Sequence, residues 1–276
     1  MRRGTLYVVG TPLGNLGDVS ARARAILTEV GLVAAEDTRR ARILLAHVGS
    51  RCRVLSFHAH SPPASARRIL DVLADGTDVA LVTDAGTPTI SDPGADLVRQ
   101  ARGAGFQVAT VPGPSAVAAA LSISGFPADR YIFLGFAPRK GPERRDFLAG
   151  AAGSVWTVVI FESAQRLGAL LDDLRRVCGE DRNAAVAREL TKVHEELNAG
   201  TLAELGVYYR AYPPRGEITV VLSGAGVQPP INREQEARAH ARALLDGGAS
   251  RRDVALALAR EFKVPRNEAY RLVTTL

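Results

Sequence analysis

The chain has 276 residues, 46% of them hydrophobic and 23% charged, which is the composition of a folded protein long enough for two domains and an appendage. No stretch reaches the roughly 18 apolar residues of a membrane span, and Arg2-Arg3 precedes a strand-like run rather than the apolar region of a signal peptide. The two cysteines, Cys52 and Cys178, lack zinc-ligand spacing and exclude a disulfide scaffold, so a reducing, cytoplasmic setting is expected; the net charge of +6 suits an anionic partner such as RNA without requiring one.

The first 125 residues alternate strand-like and helix-like segments. Leu6–Gly10 is an apolar run that ends in Thr11-Pro-Leu-Gly-Asn15. Leu16, Val19, Ala23, Ile26, Leu27 and Val30 then recur at helical spacing. Leu32–Ala35 reads as a short strand, Arg42–Val48 as the apolar end of a second helix, and Val54–Phe57 as another strand. Ser65 is placed as the cap of a helix carrying Ile69, Leu70 and Leu73. Strand Val79–Val82, a helix around Leu97–Ala104, strand Val108–Val111 and helix Ser115–Ser122 complete this half. The alternation predicts a mainly parallel sheet with right-handed crossovers.

From Asp129 the pattern restarts. Tyr131–Leu134, Val155–Phe161, Ala184–Ala187 and Ile218–Leu222 read as strands, with helices between them, notably Gln165–Cys178. The expected organisation is an N-terminal α/β domain over 1–125 and a second α/β domain with a mixed sheet over 126–224. A Gly/Pro linker over 225–230 then leads to a helical extension over 231–276. Ser250-Arg-Arg-Asp253 resembles a capping box, Lys263-Val-Pro265 a short turn, and Arg266–Leu276 a final helix, which together suggest a helix-turn-helix. The extension holds 9 Arg/Lys against 6 Asp/Glu, a net +3, and reads either as an RNA contact or as a packing bundle.

Loops at strand ends carry the candidate chemistry, because ligands of open α/β sheets sit outside the carboxyl ends of the strands. Gly10-Thr-Pro-Leu-Gly14 has neither the dinucleotide fingerprint nor the ending of a P-loop, and taken alone it is compatible with a plain turn. Asp84 stands just past an apolar strand, where its carboxylate can accept from a ligand or from loop N–H groups. Ser115 opens an Ala-rich helix whose small side chains let a ligand approach the backbone; with no nucleophile elbow around it, hydrolase chemistry is not expected. Glu36-Asp-Thr-Arg-Arg40 either lines a cleft or opens a helix with favourable acids. His58 and His60 lack companion ligands, so no metal is expected. Phe161-Glu-Ser163, Arg188–Lys192 and Arg215-Gly-Glu217 can face the first domain's loops across a crevice.

The ordered series Leu6–Asp18, Ala35–Arg39, Asp84–Gly94, Pro112–Ala116, Phe161–Ser163, Arg188–Lys192 and Gly216-Glu217 closely resembles the bacterial ribosomal RNA small-subunit methyltransferase I family of the tetrapyrrole methylase superfamily. The resemblance runs from residue 5 to about 225, and the appended helices fit the family's C-terminal extension. It implies a cytoplasmic homodimer of α/β type whose two domains clasp S-adenosylmethionine. It also implies methylation of a cytidine ribose 2′-hydroxyl of 16S rRNA, in the small ribosomal subunit near the decoding centre. The superfamily's donor-binding positions map onto Asp84, Ala85, Gly86, Ile90, Ser115, Ala116, Phe161, Glu162, Glu189, Leu190, Gly216 and Glu217. Pro12, Gly14 and Asn15 would lie on the acceptor side. Departures from the family pattern are Thr83 where Ser is usual, Ala164-Gln165 within Phe161–Arg166 where Pro-His is usual, and no Asn-Glu after His58.

A ribose hydroxyl is a weak nucleophile, so a base is expected; Glu36, Asp37 and Lys192 are the candidates, with Arg39 and Arg40 placed to hold RNA phosphates. The rival readings are a tetrapyrrole C-methyltransferase on the same fold and a non-catalytic RNA-binding sensor of the methyl donor.

Overall fold

The computed structural model describes residues 3–226, 240–242, 244–245, 249–261 and 266–274. Contacts divide the chain into two compact units, Met1–Gly224 and Ala225–Leu276.

The larger unit holds two five-stranded sheets. The first is built from β1 (Thr5–Val9), β2 (Leu32–Ala35), β3 (Arg53–Ser56), β4 (Val79–Val82) and β5 (Gln107–Val111), in the order β3-β2-β4-β1-β5. Every pairing in it is parallel, as the β/α alternation predicts. Its connecting helices are α1 (Ala21–Glu29), α2 (Thr38–Val48), α3 (Pro63–Ala74) and α4 (Ala95–Gly103). Successive strand residues point to opposite faces, so this sheet feeds two cores. Val33, Ala35, Ala80 and Val82 pack with Leu27 and Leu45 from α1 and α2. Leu6, Ala34, Val79 and Leu81 pack with Ile69, Leu73 and Leu97 from α3 and α4. Because the strands are parallel, the loops after β1, β4 and β5, which are neighbours in the sheet, emerge at one edge.

Helix α5 (Ala116–Ser124) leads to the second sheet, β6 (Tyr131–Phe136), β7 (Thr157–Ser163), β8 (Asn183–Arg188), β9 (Glu196–Thr201) and β10 (Glu217–Leu222), in the order β6-β7-β10-β8-β9. Only β6 and β7 pair in parallel, so the sheet is mixed. Val158, Ile160, Val186, Val220 and Leu222 face a core with Leu148, Leu170, Leu174 and Leu205 from α6 (Pro142–Gly153), α7 (Leu167–Cys178) and α8 (Leu202–Ala211). On the opposite face, Val159, Ala185, Ala187 and Val221 pack with Val117, Ala120 and Leu121 of α5 and with Leu13 of the first loop. The first half of the chain therefore supplies the cover for one face of the second sheet.

Local boundaries differ from expectation for identifiable reasons. The helix assigned a Ser65 cap starts at Pro63 with Pro62 as its cap residue, and Ser65 lies in its first turn, donating its N–H to the Pro62 carbonyl at 2.8 Å. A proline at the helix start has its φ preset and no N–H to satisfy, so it needs no serine cap. The helical spacing that begins at Leu16 is split: Leu16–Asp18 form a 3-10 turn, and α1 starts after Ser20, whose hydroxyl accepts from Ala23 N–H. The run at Val155 enters its strand only at Thr157, leaving Val155 and Trp156 exposed. Strand β9 is a half-buried edge strand of sequence Glu-Leu-Asn-Ala-Gly-Thr, with too few apolar residues to announce itself.

In the smaller unit, α9 (Arg251–Glu261) and α10 (Arg266–Thr274) pack through Val254, Leu258, Ala269 and Leu272. The Ser250 hydroxyl accepts from Asp253 N–H at 3.2 Å and meets the Asp253 carboxylate at 2.6 Å, so the cap is made while the reciprocal bond of a capping box is replaced by a hydroxyl–carboxylate contact. The expected 225–230 linker falls largely, and the Lys263-Val-Pro265 turn entirely, outside the described residues.

One backbone approach sets the spacing of the strand-end loops. A Cβ on Gly10 would sit 2.7 Å from Gly113 N, and a Cβ on Gly113 would sit 2.7 Å from Gly10 C. Both obstacles are main chain and have no rotamer by which to yield. Gly10→Ala is expected to cost about 1–3 kcal/mol through overpacking, read as a lower urea midpoint at unchanged slope; an unchanged midpoint would show that the two loops separate freely.

Candidate active site

The site is assembled where these loops meet. Thr11 and Gly86 exchange two backbone hydrogen bonds, at 2.8 and 3.0 Å, which zip the loop after β1 to the loop after β4. The Thr11 hydroxyl, fully enclosed, donates to the Thr83 carbonyl at 3.2 Å. Thr83 in turn donates its hydroxyl to Glu36 Oε2 at 3.1 Å, and Asp84 Oδ1 accepts from Asp37 N–H at 3.1 Å. Arg40 lies 3.6 Å from the other Asp84 oxygen. The acids that follow β2 and β4 are thus held side by side.

Asp92, further along the β4 loop, belongs to the same electrostatic group. Its carboxyl is raised to about 6, chiefly by burial and further by the charges of Glu36 and Asp84, while a hydrogen bond with Thr83 works the other way. Asp37 behaves oppositely. It caps α2 by accepting Arg39 N–H at 2.7 Å and pairs with the Arg39 guanidinium at 2.8 Å. Those bonds from Arg39 hold its carboxyl down at about 2. A carboxylate so stabilised in its charged form is a weak proton acceptor.

The second sheet contributes a cation. Lys192 Nζ donates to Glu189 Oε1 at 3.0 Å and to Glu217 Oε2 at 3.1 Å. Partial burial works against its charge, but the bonds to Glu189 and Glu217 prevail and raise the ammonium above the usual lysine value. It is therefore a positive charge rather than a base. Glu189 also accepts Glu217 N–H at 3.0 Å, and Gly216 backs onto it so closely that a Cβ would lie 2.1 Å from Glu189 Oε1. Glu189 and Thr191 both hold positive φ, 50° and 65°, a backbone arrangement that costs energy outside glycine and collects at functional loops.

The two groups are joined by the loop after β1. A Cβ on Gly14 would fall 2.2 Å from Lys192 Cγ, so the lysine stem lies flat on the glycine. Thr11, three residues earlier, is bonded to Thr83, so the span between the carboxylates' loop and Lys192 is bridged by at most about 11 Å of chain. Leu13, between them, packs beside the buried Leu190 in the core shared by α5 and the second sheet.

Aromatic and apolar groups flank this junction. Phe161 packs edge-on against Phe133 and Phe136, with ring centroids 4.7 and 5.5 Å apart. A Cβ on Gly135 would meet Ser91 Oγ at 3.2 Å, which brings the β4 loop against β6. There Ile90 is 48% and Phe136 58% exposed, an apolar surface open at a loop contact. Glu162 is buried and ion-paired with Arg166 at 3.0 Å, and its Oε1 accepts Ser163 N–H. That engagement makes Glu162 a brace for the β7 end.

Among the residues singled out from sequence, Gly14, Glu189, Leu190, Lys192, Gly216 and Glu217 form one connected set. Glu36, Asp37, Arg39, Arg40, Asp84 and Gly86 form another. Ser115 caps α5, accepting from Ala118 N–H at 3.5 Å, and Ala116 begins that helix. Asn15 caps the following 3-10 turn through Gly17 N–H, a local role, and Pro12 is buried beside it. Arg39 is spent on Asp37. His58 Nδ1 accepts from His60 N–H, and among the described residues no His, Cys, Asp or Glu group is arranged to hold a metal ion. The sequence alone does not single out Thr11, and Asp92 stands in it only within the Asp84–Gly94 series, because the carboxylates that perturb it, Glu36 and Asp84, follow two different strands, β2 and β4.

Two α/β layers whose strand-end loops interlock define a methylase of the tetrapyrrole type. The model of the Tetrapyrrole (Corrin/Porphyrin) Methylases matches residues 5–206. Cobalt precorrin-4 methyltransferase, a cobalamin biosynthetic enzyme, shares the fold with TM-score 0.62 at 20% identity, over 79% of this chain and 94% of its own. Uroporphyrin-III-C-methyltransferase from Thermus thermophilus does so with TM-score 0.59 at 20% identity over the same shares. In sequence the chain is far more similar to proteins named ribosomal RNA small subunit methyltransferase I. It is 48% identical to the one from Xylella fastidiosa (strain Temecula1) over 82% of this chain and 83% of that protein. The Synechocystis protein is 40% identical over 98% and 97%, and the Thermotoga maritima protein 44% over 80% and 99%. The chain belongs to the ribosomal RNA small subunit methyltransferase I family.

Asp92 gives a pH-dependent prediction. Between about pH 4 and 6 the folded protein keeps a proton that the unfolded chain has released, so this group's contribution to stability falls as pH rises and is lowest above pH 6. Asp92→Asn should therefore be more stable than the parent at pH 7–8. The gain is expected at about 1–2 kcal/mol, after discounting the ~1.4 kcal/mol per unit for residual solvent screening, and should vanish below pH 4. Urea melts at pH 4 and 7.5 check this, and equal stability at both pH values would refute it.

Proposed function

We propose that the chain transfers the methyl group of S-adenosylmethionine to the 2′-hydroxyl of a cytidine ribose in 16S rRNA. We also propose that it acts as a cytoplasmic homodimer on the small ribosomal subunit. The observation that carries the reading is the single junction at which Gly14 meets Lys192 while the same loop, through Thr11, holds Thr83 and its neighbouring carboxylates. The family supports the chemistry, and the junction supports adjacent sites for a donor and an acceptor.

The residues present fit the donor. A ligand with a sulfonium, an ammonium and an apolar adenine edge suits a group of carboxylates beside uncovered apolar side chains. Glu36, Asp84 and Asp92 provide the first, and Ile90, Phe161 and Phe136 the second. Backbone groups at Asp84–Gly86, Ser115-Ala116 and Gly216-Glu217, with Leu190 and Glu189 alongside, complete the proposed donor cradle. When bound, the donor supplies an already activated methyl group.

What remains for the protein is alignment and proton handling. Loops fixed by backbone bonds hold the acceptor in place, and such positioning accounts for much of the rate. The proton acceptor falls to the Glu36 and Asp92 carboxylates, and Asp92, near 6, is matched to neutral pH. Lys192, held charged by Glu189 and Glu217, stabilises negative charge developing on the acceptor oxygen. Pro12 and Gly14 shape the acceptor side, and Arg40 beside Asp84 offers a phosphate contact. A net charge of +6 is compatible with a polyanionic substrate such as RNA.

Incubation of the protein with labelled S-adenosylmethionine and isolated small ribosomal subunits, followed by nucleoside digestion and mass spectrometry, should yield 2′-O-methylcytidine. Label in a porphyrinogen and none in RNA would replace this reading with the tetrapyrrole one. Gly14→Ala should push the Lys192 stem aside and lower turnover at least tenfold, with donor affinity by calorimetry within twofold of the parent. Unaltered turnover would remove Lys192 from the acceptor side.

A further inference from the structure

A cavity of about 270 Å³ lies outside the junction, lined by Arg188, Glu196, Tyr208, Tyr209, Tyr212 and the Pro213–Arg215 turn. It arises from local sequence. Tyr208 and Tyr212 are four residues apart at the end of α8, so they share one side of the helix. Their rings lie 5.2 Å apart at 44°, a splayed pair rather than a stack. Tyr209, buried, forms the floor, its hydroxyl accepting from Asn198 at 3.0 Å. Arg188 and Glu196 face each other across β8 and β9 and pair at 2.8 Å, and Tyr208 donates to Glu196 at 3.2 Å. The floor and rear wall are therefore fixed, while Tyr212 remains 66% exposed.

The position of the cavity matters as much as its lining. Arg188 immediately precedes Glu189, and Arg215 immediately precedes Gly216 and Glu217; Glu189 and Glu217 are the two carboxylates that hold Lys192. Arg188 also donates to the Arg215 carbonyl at 3.5 Å. The cavity thus opens beside the two carboxylates that hold Lys192 at the junction.

We propose that this cavity is a stacking subsite for one unpaired nucleobase of the RNA flanking the acceptor nucleotide, with the adjoining phosphate at Arg215. The inference rests on the rRNA reading above and adds a residue-level subsite to it. Exposed aromatic faces beside arginines are the recognition chemistry of single-stranded RNA, where bases stack on rings without regard to sequence. The two arginines against one already paired glutamate leave a positive lining. The cavity is slightly smaller than the roughly 300–1,000 Å³ usual for whole drug-sized ligands, which suits a single base.

The test compares the parent, Tyr212→Ala, the Tyr208→Ala/Tyr212→Ala double variant and Tyr212→Trp in methyl transfer to isolated small ribosomal subunits. The double variant should raise KM for subunits about tenfold or more, with kcat and the S-adenosylmethionine Kd within twofold. Tyr212→Trp, which keeps a stacking face, should match the parent. A KM within twofold of the parent in a double variant of native circular dichroism would overturn the subsite. So would a drop in molar mass by light scattering in the double variant, which would make the tyrosines a protein–protein contact. No transfer to subunits by the parent itself would instead overturn the rRNA reading on which the subsite depends.

Discussion

The structure of the larger unit hangs on the five residues after β1. Thr11 zips to Gly86, Leu13 enters the core under the second sheet, and Gly14 supports Lys192. One short loop is therefore bonded to the loop after β4 of the first sheet, packed into the second sheet's core and pressed against the second sheet's Lys192. Gly10 and Gly113 let the next strand-end loop come within backbone contact of it. Burial of Leu13 and Leu190 in one core makes the relative position of the two sheets a matter of packing, which is far stiffer than a linker.

That rigidity permits two unfavourable arrangements to persist. Asp92 is half-buried next to the charges of Glu36 and Asp84, and its carboxyl is raised chiefly by that burial and further by those charges. Thr89 and Ser91 on the β4 loop, with Glu189 and Thr191 on the loop after β8, sit at positive φ without being glycine. Each such residue costs on the order of 1 kcal/mol or more, and they occur on the β4 loop, which meets β6, and on the loop that meets Gly14. The two sides are built differently: the carboxylates of Glu36, Asp84 and Asp92 gather on the loops of the first sheet, and a lysine held by two glutamates lies on the second.

Much of the fold was legible because it depends on local rules. Strands β2 and β4 coincide with the runs Leu32–Ala35 and Val79–Val82, since a strand buried on both faces must be apolar throughout. The second sheet's mixed pairing followed from a restarted pattern. Elements whose stability comes from neighbours were harder to see. Strand β9 is held by β8 along one edge and needs little hydrophobicity of its own, and the start of α3 was set by a proline rather than by the serine that looked like a cap.

By itself the sequence determined which residue types stand at each strand end, and a motif series in fixed order sufficed to indicate the family. Those features are local or collinear, and they survive without knowledge of how the chain packs. Only the tertiary structure decided what each side chain does. It turned Asp37 from a candidate base into a helix cap and Lys192 from a candidate base into a fixed charge, and it singled out Asp92 within the Asp84–Gly94 series as a carboxyl raised to about 6. The reason is physical: proton affinity depends on which charges and donors lie within a few ångströms, and while Arg39 stands only two residues from Asp37, Lys192 meets Glu217 and Asp92 meets Glu36 only because the chain folds back on itself.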